Sequence, residues 1–219
     1  MQRRRHVRGG LIFARRYLIL CAASFLFTGS GCKSAEQVRL EKGVREHYGI
    51  SFQRFEAWLT SAPVATAFDF PLCPPDGHKC YDAQPFGVAD HLGEDWGAAG
   101  NNKDLGKPIY AISDGVVVFA EDIGGGWGKV LRIVHRLRDS ENTRYVESLY
   151  AHFTDMLPEP GRLVRRGEKI GTLGTAGGLY EAHLHLELRS VIALPVGGGY
   201  GTDQAGFLEP KKFIRAHRR

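Results

Sequence analysis

No apolar run in these 219 residues reaches the roughly 20 that a membrane-spanning helix requires. The longest, Tyr17–Phe27, covers eleven mostly apolar positions. Acid is missing from both ends of the chain. Residues 1–31 carry six Arg and residues 211–219 carry five bases, with no Asp or Glu in either segment. The formal charge of +5 therefore comes from the ends. The body, residues 32–210, holds 18 bases against 24 acids, and its net −6 offers no field that would attract phosphates. No nucleic-acid partner is expected. No internal repeat is present, and neither GxGxxG nor GxxxxGK[ST] occurs. The glycine run Gly124-Gly125-Gly126-Trp127-Gly128 reads instead as a hairpin turn. Charged residues at 24% and apolar residues at 43% describe a chain able to fold around one core.

The N-terminus has the order of an export signal. A positive stretch (Arg3, Arg4, Arg5, Arg8, Arg15, Arg16) precedes Tyr17–Phe27, and small residues follow up to Cys32. Gly29-Ser30-Gly31-Cys32 resembles a bacterial lipoprotein cleavage site with Cys32 as the lipidated residue, although a Leu-like residue is usual where Gly29 stands. Cleavage without lipidation also fits, since Gly29 and Gly31 satisfy a small-x-small rule. Cys73 and Cys80 remain in an exported chain, where disulfides persist. The six residues between them form turns readily, so a small disulfide loop is feasible. Metal binding by Cys73, His78 and Cys80 is the rival reading and lacks a second ligand pair.

The mature chain divides into a charged, partly helical spacer (32–62), a domain (63–216) and a short basic end (217–219). From Pro63 onward, short alternating runs are broken by Gly, Pro, Asn and Asp. Strands are expected over 108–112, 115–119, 130–135, 145–153 and 183–189. This texture predicts a mainly antiparallel β domain.

The chemistry lies in four of nine histidines. His47, His78 and His135 have no partner at metal-like spacing, so surface or core roles suffice for them. In Ala182–Arg189, alternation puts Ala182, Leu184, Leu186 and Leu188 on one strand face and His183, His185, Glu187 and Arg189 on the other. Two imidazoles then stand about 7 Å apart on a rigid face. HLGED at 91–95 offers His91 and Asp95. In SLYAHF at 148–153, alternation sets Ser148, Tyr150 and His152 on one face.

These three motifs, in this order, resemble the lysostaphin-like, LytM-type zinc peptidases of family M23. KPIYA at 107–111, DGVV at 114–117, VRRGEKIG at 164–171 and FLEP at 207–210 extend the likeness over roughly 85–215. The resemblance implies a LytM-like fold of the duplicated hybrid motif, lysostaphin-like kind. It implies one Zn2+ per chain held by His91, Asp95 and His185, with His152 and His183 as catalytic neighbours. Three N/O ligands leave a fourth position open for water, the arrangement of a catalytic zinc. Glu187 is placed either behind a ligating His or as a solvated strand residue, and Tyr150 as a cleft residue. The implied activity is a zinc metalloendopeptidase acting by zinc-activated water on stem or cross-bridge peptides of bacterial peptidoglycan. It would work in the periplasm or from the outer membrane through a lipid anchor. A catalytically silent LytM-like regulator of a partner hydrolase is the alternative, and such regulators typically lack metal ligands. Residues 177–182 and 195–206 depart from the family pattern, being bulkier and longer, and are expected to reshape the cleft.

Metabolic labelling with a fatty acid tests the anchor. Label should enter the wild type and be absent from Cys32→Ser; equal labelling would remove the lipoprotein reading and leave export standing.

Overall fold

A computed structural model describes residues 33–139 and 142–218. Residues 1–32, where the sequence pattern leads one to expect an export signal and a lipidated Cys32, lie outside the described residues.

Two helices come first. In α1 (Ala35–Tyr48) the Ser34 hydroxyl accepts the Gln37 N–H, and Gly49 closes the C-terminus in the left-handed region. In α2 (Phe52–Ser61) Ser51 caps in the same way, accepting from Arg54. Ten strands follow among the described residues: β1 (Tyr81–Gln84), β2 (Glu94–Gly97), β3 (Pro108–Tyr110), β4 (Gly115–Asp122), β5 (Lys129–Asp139), β6 (Asn142–Met156), β7 (Leu163–Val164), β8 (Lys169–Leu173), β9 (Leu184–Arg189) and β10 (Phe207–Leu208). A short helix, α3 (Pro210–Ala216), closes the chain. The main path of the sheet runs β1-β2-β9-β6-β5-β4-β7, and all the strand pairings are antiparallel. The mainly β fold class is as the sequence implied, and all five expected strands are present. Gly124–Gly128 does lie in the β4–β5 turn, where Gly124, Gly125 and Gly128 take positive φ.

Both faces of the sheet are covered, so the central strands are buried on both sides. On one face Ile109, Val117, Leu131, Ile133, Tyr150, Leu184, Leu186 and Leu188 pack with Phe68, Phe70 and Phe213. On the other, Val116, Val118, Val130, Val134 and Leu149 pack against Val44, Tyr48, Phe55 and Leu59 of α1 and α2. Residues 35–61 therefore form a layer that covers one face of the sheet. Gly43 makes the close approach possible: a Cβ there would meet the Ala193 carbonyl oxygen at 2.5 Å. The Cys73 and Cys80 sulfurs are bonded to each other in the loop before β1.

Gly43→Ala tests that packing, because two effects oppose. In an exposed helix the change gains about 1 kcal/mol from propensity. Here the new methyl meets backbone, and overpacking of this kind costs roughly 1–3 kcal/mol. The variant should melt below the wild type. A higher melting temperature would place α1 away from Ala193.

Candidate metal centre

β2 and β9 lie side by side, with Asp95 opposite His185 in the register. Alternation on β9 sends Leu184, Leu186 and Leu188 into one core and turns His185, Glu187 and Arg189 to the other face. His91 enters from the turn after a short 3-10 segment, Val88–Asp90. Its Nδ1–H donates to the Gln84 carbonyl at 3.1 Å, so Nε2 faces His185 and Asp95. His91 Nε2 lies 3.1 Å from His185 Nδ1 and 3.5 Å from Asp95 Oδ1. His185 Nδ1 lies 2.9 Å from the same Asp95 oxygen. Gly93 permits this closeness, because a Cβ there would stand 2.7 Å from His185 Cε1.

Ligand-type atoms of His91, Asp95 and His185 thus lie within 4.8 Å of one another. Two imidazole nitrogens and one carboxylate oxygen are a donor set that suits zinc. Each ligand-type His also has its other ring nitrogen secured, His91 on the Gln84 carbonyl and His185 Nε2 on Glu187 Oε1 at 3.2 Å. Burial opposes a charge on His185, yet its hydrogen bonds to Asp95 and Glu187 raise its pKa to about 9. Burial likewise works against ionised Asp95, but the His185 hydrogen bond holds that carboxyl below its usual value.

His152 and His183 stand beside this cluster, with ring centroids 4.6 Å apart. Each has Nδ1 on a backbone carbonyl, His152 on Trp127 at 3.2 Å and His183 on Glu181 at 2.7 Å. Their Nε2 atoms are left free of those bonds, and His183 Nε2 is 3.7 Å from Asp95. Burial, then the neighbouring His183 and His185, push the His152 pKa down to about 3.

Three expectations need correction. His152 has φ +67°, and between Leu131↔Tyr150 and Lys129↔Phe153 the β6 strand carries one extra residue. That bulge breaks the alternation of SLYAHF. Ser148 and Tyr150 face the apolar core, while His152 turns to the cleft. Tyr150 is fully buried, and its hydroxyl accepts the Ile112 N–H at 3.0 Å. It lines no cleft. Glu187 is no solvated strand residue: it is fully buried against His185.

The cleft above the cluster is about 390 Å3, walled by Gln84, Trp127, Tyr180, Tyr200 and Gly198-Gly199. Trp127 Nε1–H donates to the Gly197 carbonyl at 3.0 Å, which ties the glycine turn to the 195–201 loop. The Tyr200 ring lies 5.0 Å from that of His91. The sequence marked both departing segments as cleft walls, but Trp127 was hidden inside a turn signal and Gln84 carried no signal.

His47 and His78 stay outside the cleft, and His135 is a core residue. The His135 Nδ1–H donates to the Asp114 carbonyl at 2.9 Å, and Nε2 accepts from the Ser148 hydroxyl at 2.7 Å.

The model of the family described as "Peptidase family M23" matches residues 90–197. Lipoprotein NlpD of Yersinia enterocolitica is 37% identical over 84 residues, which cover 38% of this chain and 78% of that protein. DD-carboxypeptidase/endopeptidase Mpg of Neisseria meningitidis serogroup B is 33% identical over 130 residues, covering 56% of this chain and 27% of that one. The chain thus spans about a quarter of the length of that second relative. Among solved structures, a zinc containing peptidase from Vibrio cholerae superposes with a TM-score of 0.40 at 27% identity, covering 57% of this chain and 37% of that one.

The core histidine gives a prediction in pH. Burial holds the His135 pKa at about 4, against 6.5 in the unfolded chain. A lowered His pKa means that stability is whole above pH 6.5 and is lost as pH falls toward 4, by about 3 kcal/mol at that limit. The melting temperature of His135→Gln should therefore fall less steeply between pH 6.5 and 4 than that of the wild type. Parallel curves would show that His135 protonates in the folded protein.

Proposed function

The chain belongs to peptidase family M23, and on that premise we propose that it is an exported zinc metalloendopeptidase that hydrolyses peptide cross-links of bacterial peptidoglycan. The observation that carries this reading is the convergence of His91 Nε2, Asp95 Oδ1 and His185 Nδ1 on the floor of a cleft, with two further imidazoles alongside. His91, Asp95 and His185 would hold the metal. When bound, zinc supplies Lewis-acid polarisation of the scissile carbonyl and a water made acidic near neutral pH.

The rest of the work falls to the chain. His152 and His183 have Nδ1–H fixed on carbonyl oxygens, so each presents Nε2 to the cleft. One accepts the proton of the attacking water, and the pair returns a proton to the leaving amine or donates to the oxyanion. Trp127, Tyr180 and Tyr200 give the cleft apolar walls for a peptide, and Gln84 adds a polar edge. The stem-peptide cross-link between D-alanine and diaminopimelate is the proposed bond. The name of the Neisseria relative, a DD-carboxypeptidase/endopeptidase, supports that choice. The lipoprotein names of two relatives support a place in the cell envelope.

A second reading rests on the "Murein hydrolase activator NlpD" of Escherichia coli, 36% identical over 103 residues. On that reading the chain would stimulate another hydrolase and cut nothing. The presence of all five polar residues favours the enzyme.

The test uses residues 33–219 with purified peptidoglycan, with and without a chelator, and mass spectrometry of the products. Chelator-sensitive release of stem peptides is expected. His91→Ala, Asp95→Ala and His185→Ala should lose both zinc and activity. His152→Ala and His183→Ala should keep zinc and lose roughly 10²–10⁴ in rate. Zinc bound with no cleavage, but stimulation of an amidase, would establish the activator instead. Cleavage of glycyl–glycyl bonds alone would refute the proposed bond and leave the zinc chemistry.

A further inference from the structure

Behind the metal centre lies a row of buried ions that the proposed reaction does not use. Glu187 and Arg189 follow His185 on the inner face of β9, and all three are buried. Glu187 Oε1 faces His185 Nε2 at 3.2 Å. Glu187 Oε2 accepts from Arg189 Nε at 2.8 Å and Nη2 at 2.5 Å, a two-pronged grip. The remaining Arg189 donors are not idle. Nη1 donates to the Pro195 carbonyl and Nη2 to that of Val196, both at 3.0 Å. Those carbonyls begin the loop that carries Gly198, Gly199 and Tyr200 along the cleft.

We propose that Glu187 is a positioning residue for His185, and that Arg189 joins this function to the cleft wall. The argument is one of tautomers. An imidazole that ligates through Nδ1 must carry its proton on Nε2, and a carboxylate acceptor at Nε2 selects that form. Glu187 also stops the ring from flipping, which would put Cδ2 where Nδ1 faces Asp95 and Cε1 where Nε2 faces Glu187, so that both carboxylates would face carbon. Left alone, a buried carboxylate would carry a desolvation cost of several kcal/mol. Arg189 offsets it, and by gripping the 195–196 backbone it fixes the wall and the ligand from one guanidinium. This inference rests on the reading of His185 as a zinc ligand.

The test separates the positioning of His185 by Glu187 from the metal reading on which it rests. Zinc affinity, read by competition with a chromophoric chelator, is measured for the wild type, His185→Ala, Glu187→Ala and Glu187→Gln. His185→Ala should lose the site. Glu187→Ala should bind zinc 10–100-fold more weakly, and Glu187→Gln, which keeps an acceptor for Nε2–H, should lie between it and the wild type. A purely structural role would lower the melting temperature of the metal-free variants and leave zinc affinity unchanged. Nitrogen-15 spectra of the zinc-loaded wild type need no variant: His185 should be protonated at Nε2 and metal-bound at Nδ1. The opposite pattern overturns the proposal, as does an affinity within twofold of wild type in both Glu187 variants while His185→Ala loses zinc. A wild type that takes up no zinc, or a His185→Ala that holds it normally, would overturn the metal reading itself.

Discussion

A buried pair of salt bridges sits at the meeting point of sheet, helices and cleft. Arg132 of β5, Glu147 of β6, and Glu187 and Arg189 of β9 are all fully buried. Taking an ion out of water costs several kcal/mol even after relaxation, and a single unmatched charge here would threaten the fold. The arrangement survives because nearly every donor and acceptor has a partner. Arg132 grips Glu147 through Nε at 2.7 Å and Nη2 at 2.6 Å, and Nη2 also reaches the Leu194 carbonyl. Glu147 accepts from the Tyr48 hydroxyl and from the Ala193 N–H. Arg189 Nη1 lies 3.7 Å from Glu147, so the two pairs form one group with balanced charge.

That group ties the N-terminal helices to the sheet. Tyr48 closes α1 and brings a hydroxyl to Glu147, and its ring lies under Arg132, with Cζ 4.7 Å from the centroid. Gly43 lets the helix approach Ala193 closely enough for this contact. The same backbone, residues 193–196, continues into the cleft wall. Helix, sheet and wall are therefore held by shared ions, and apolar packing of Val44, Phe55 and Leu59 fills the space around them.

The site uses backbone irregularity where a regular sheet would fail. A flat ladder would have sent His152 into the apolar core beside Tyr150. One extra residue in β6 and a left-handed φ at His152 turn the imidazole to the cleft. At the opposite edge, the bare Cα of Gly93 makes room for the His185 ring. Both devices cost local stability, and both stand next to the converging imidazoles, where strained backbone tends to gather.

Periodicity and motif order carried much of this in the sequence. The alternation in AHLHLELR placed three Leu inside and aligned His183, His185, Glu187 and Arg189, because a two-residue period survives in any straight strand. HLGED and SLYAHF named the other polar residues. Alternation failed at His152, since a bulge is a property of the paired strand and not of the six-residue string. The burial of Glu187 was likewise undecided until Arg189, Glu147 and Arg132 were brought together from three strands. Residues 35–61 showed helical spacing, but their place as one wall of the core depended on Gly43 meeting Ala193, 150 residues away. The sequence by itself determined the strands, the family motifs and the residue types of the candidate metal centre, because these are local patterns. Which ring nitrogen faces inward, which carboxylate is buried and which loop closes the cleft were decided only by tertiary contact, where desolvation requires every buried charge to find a partner.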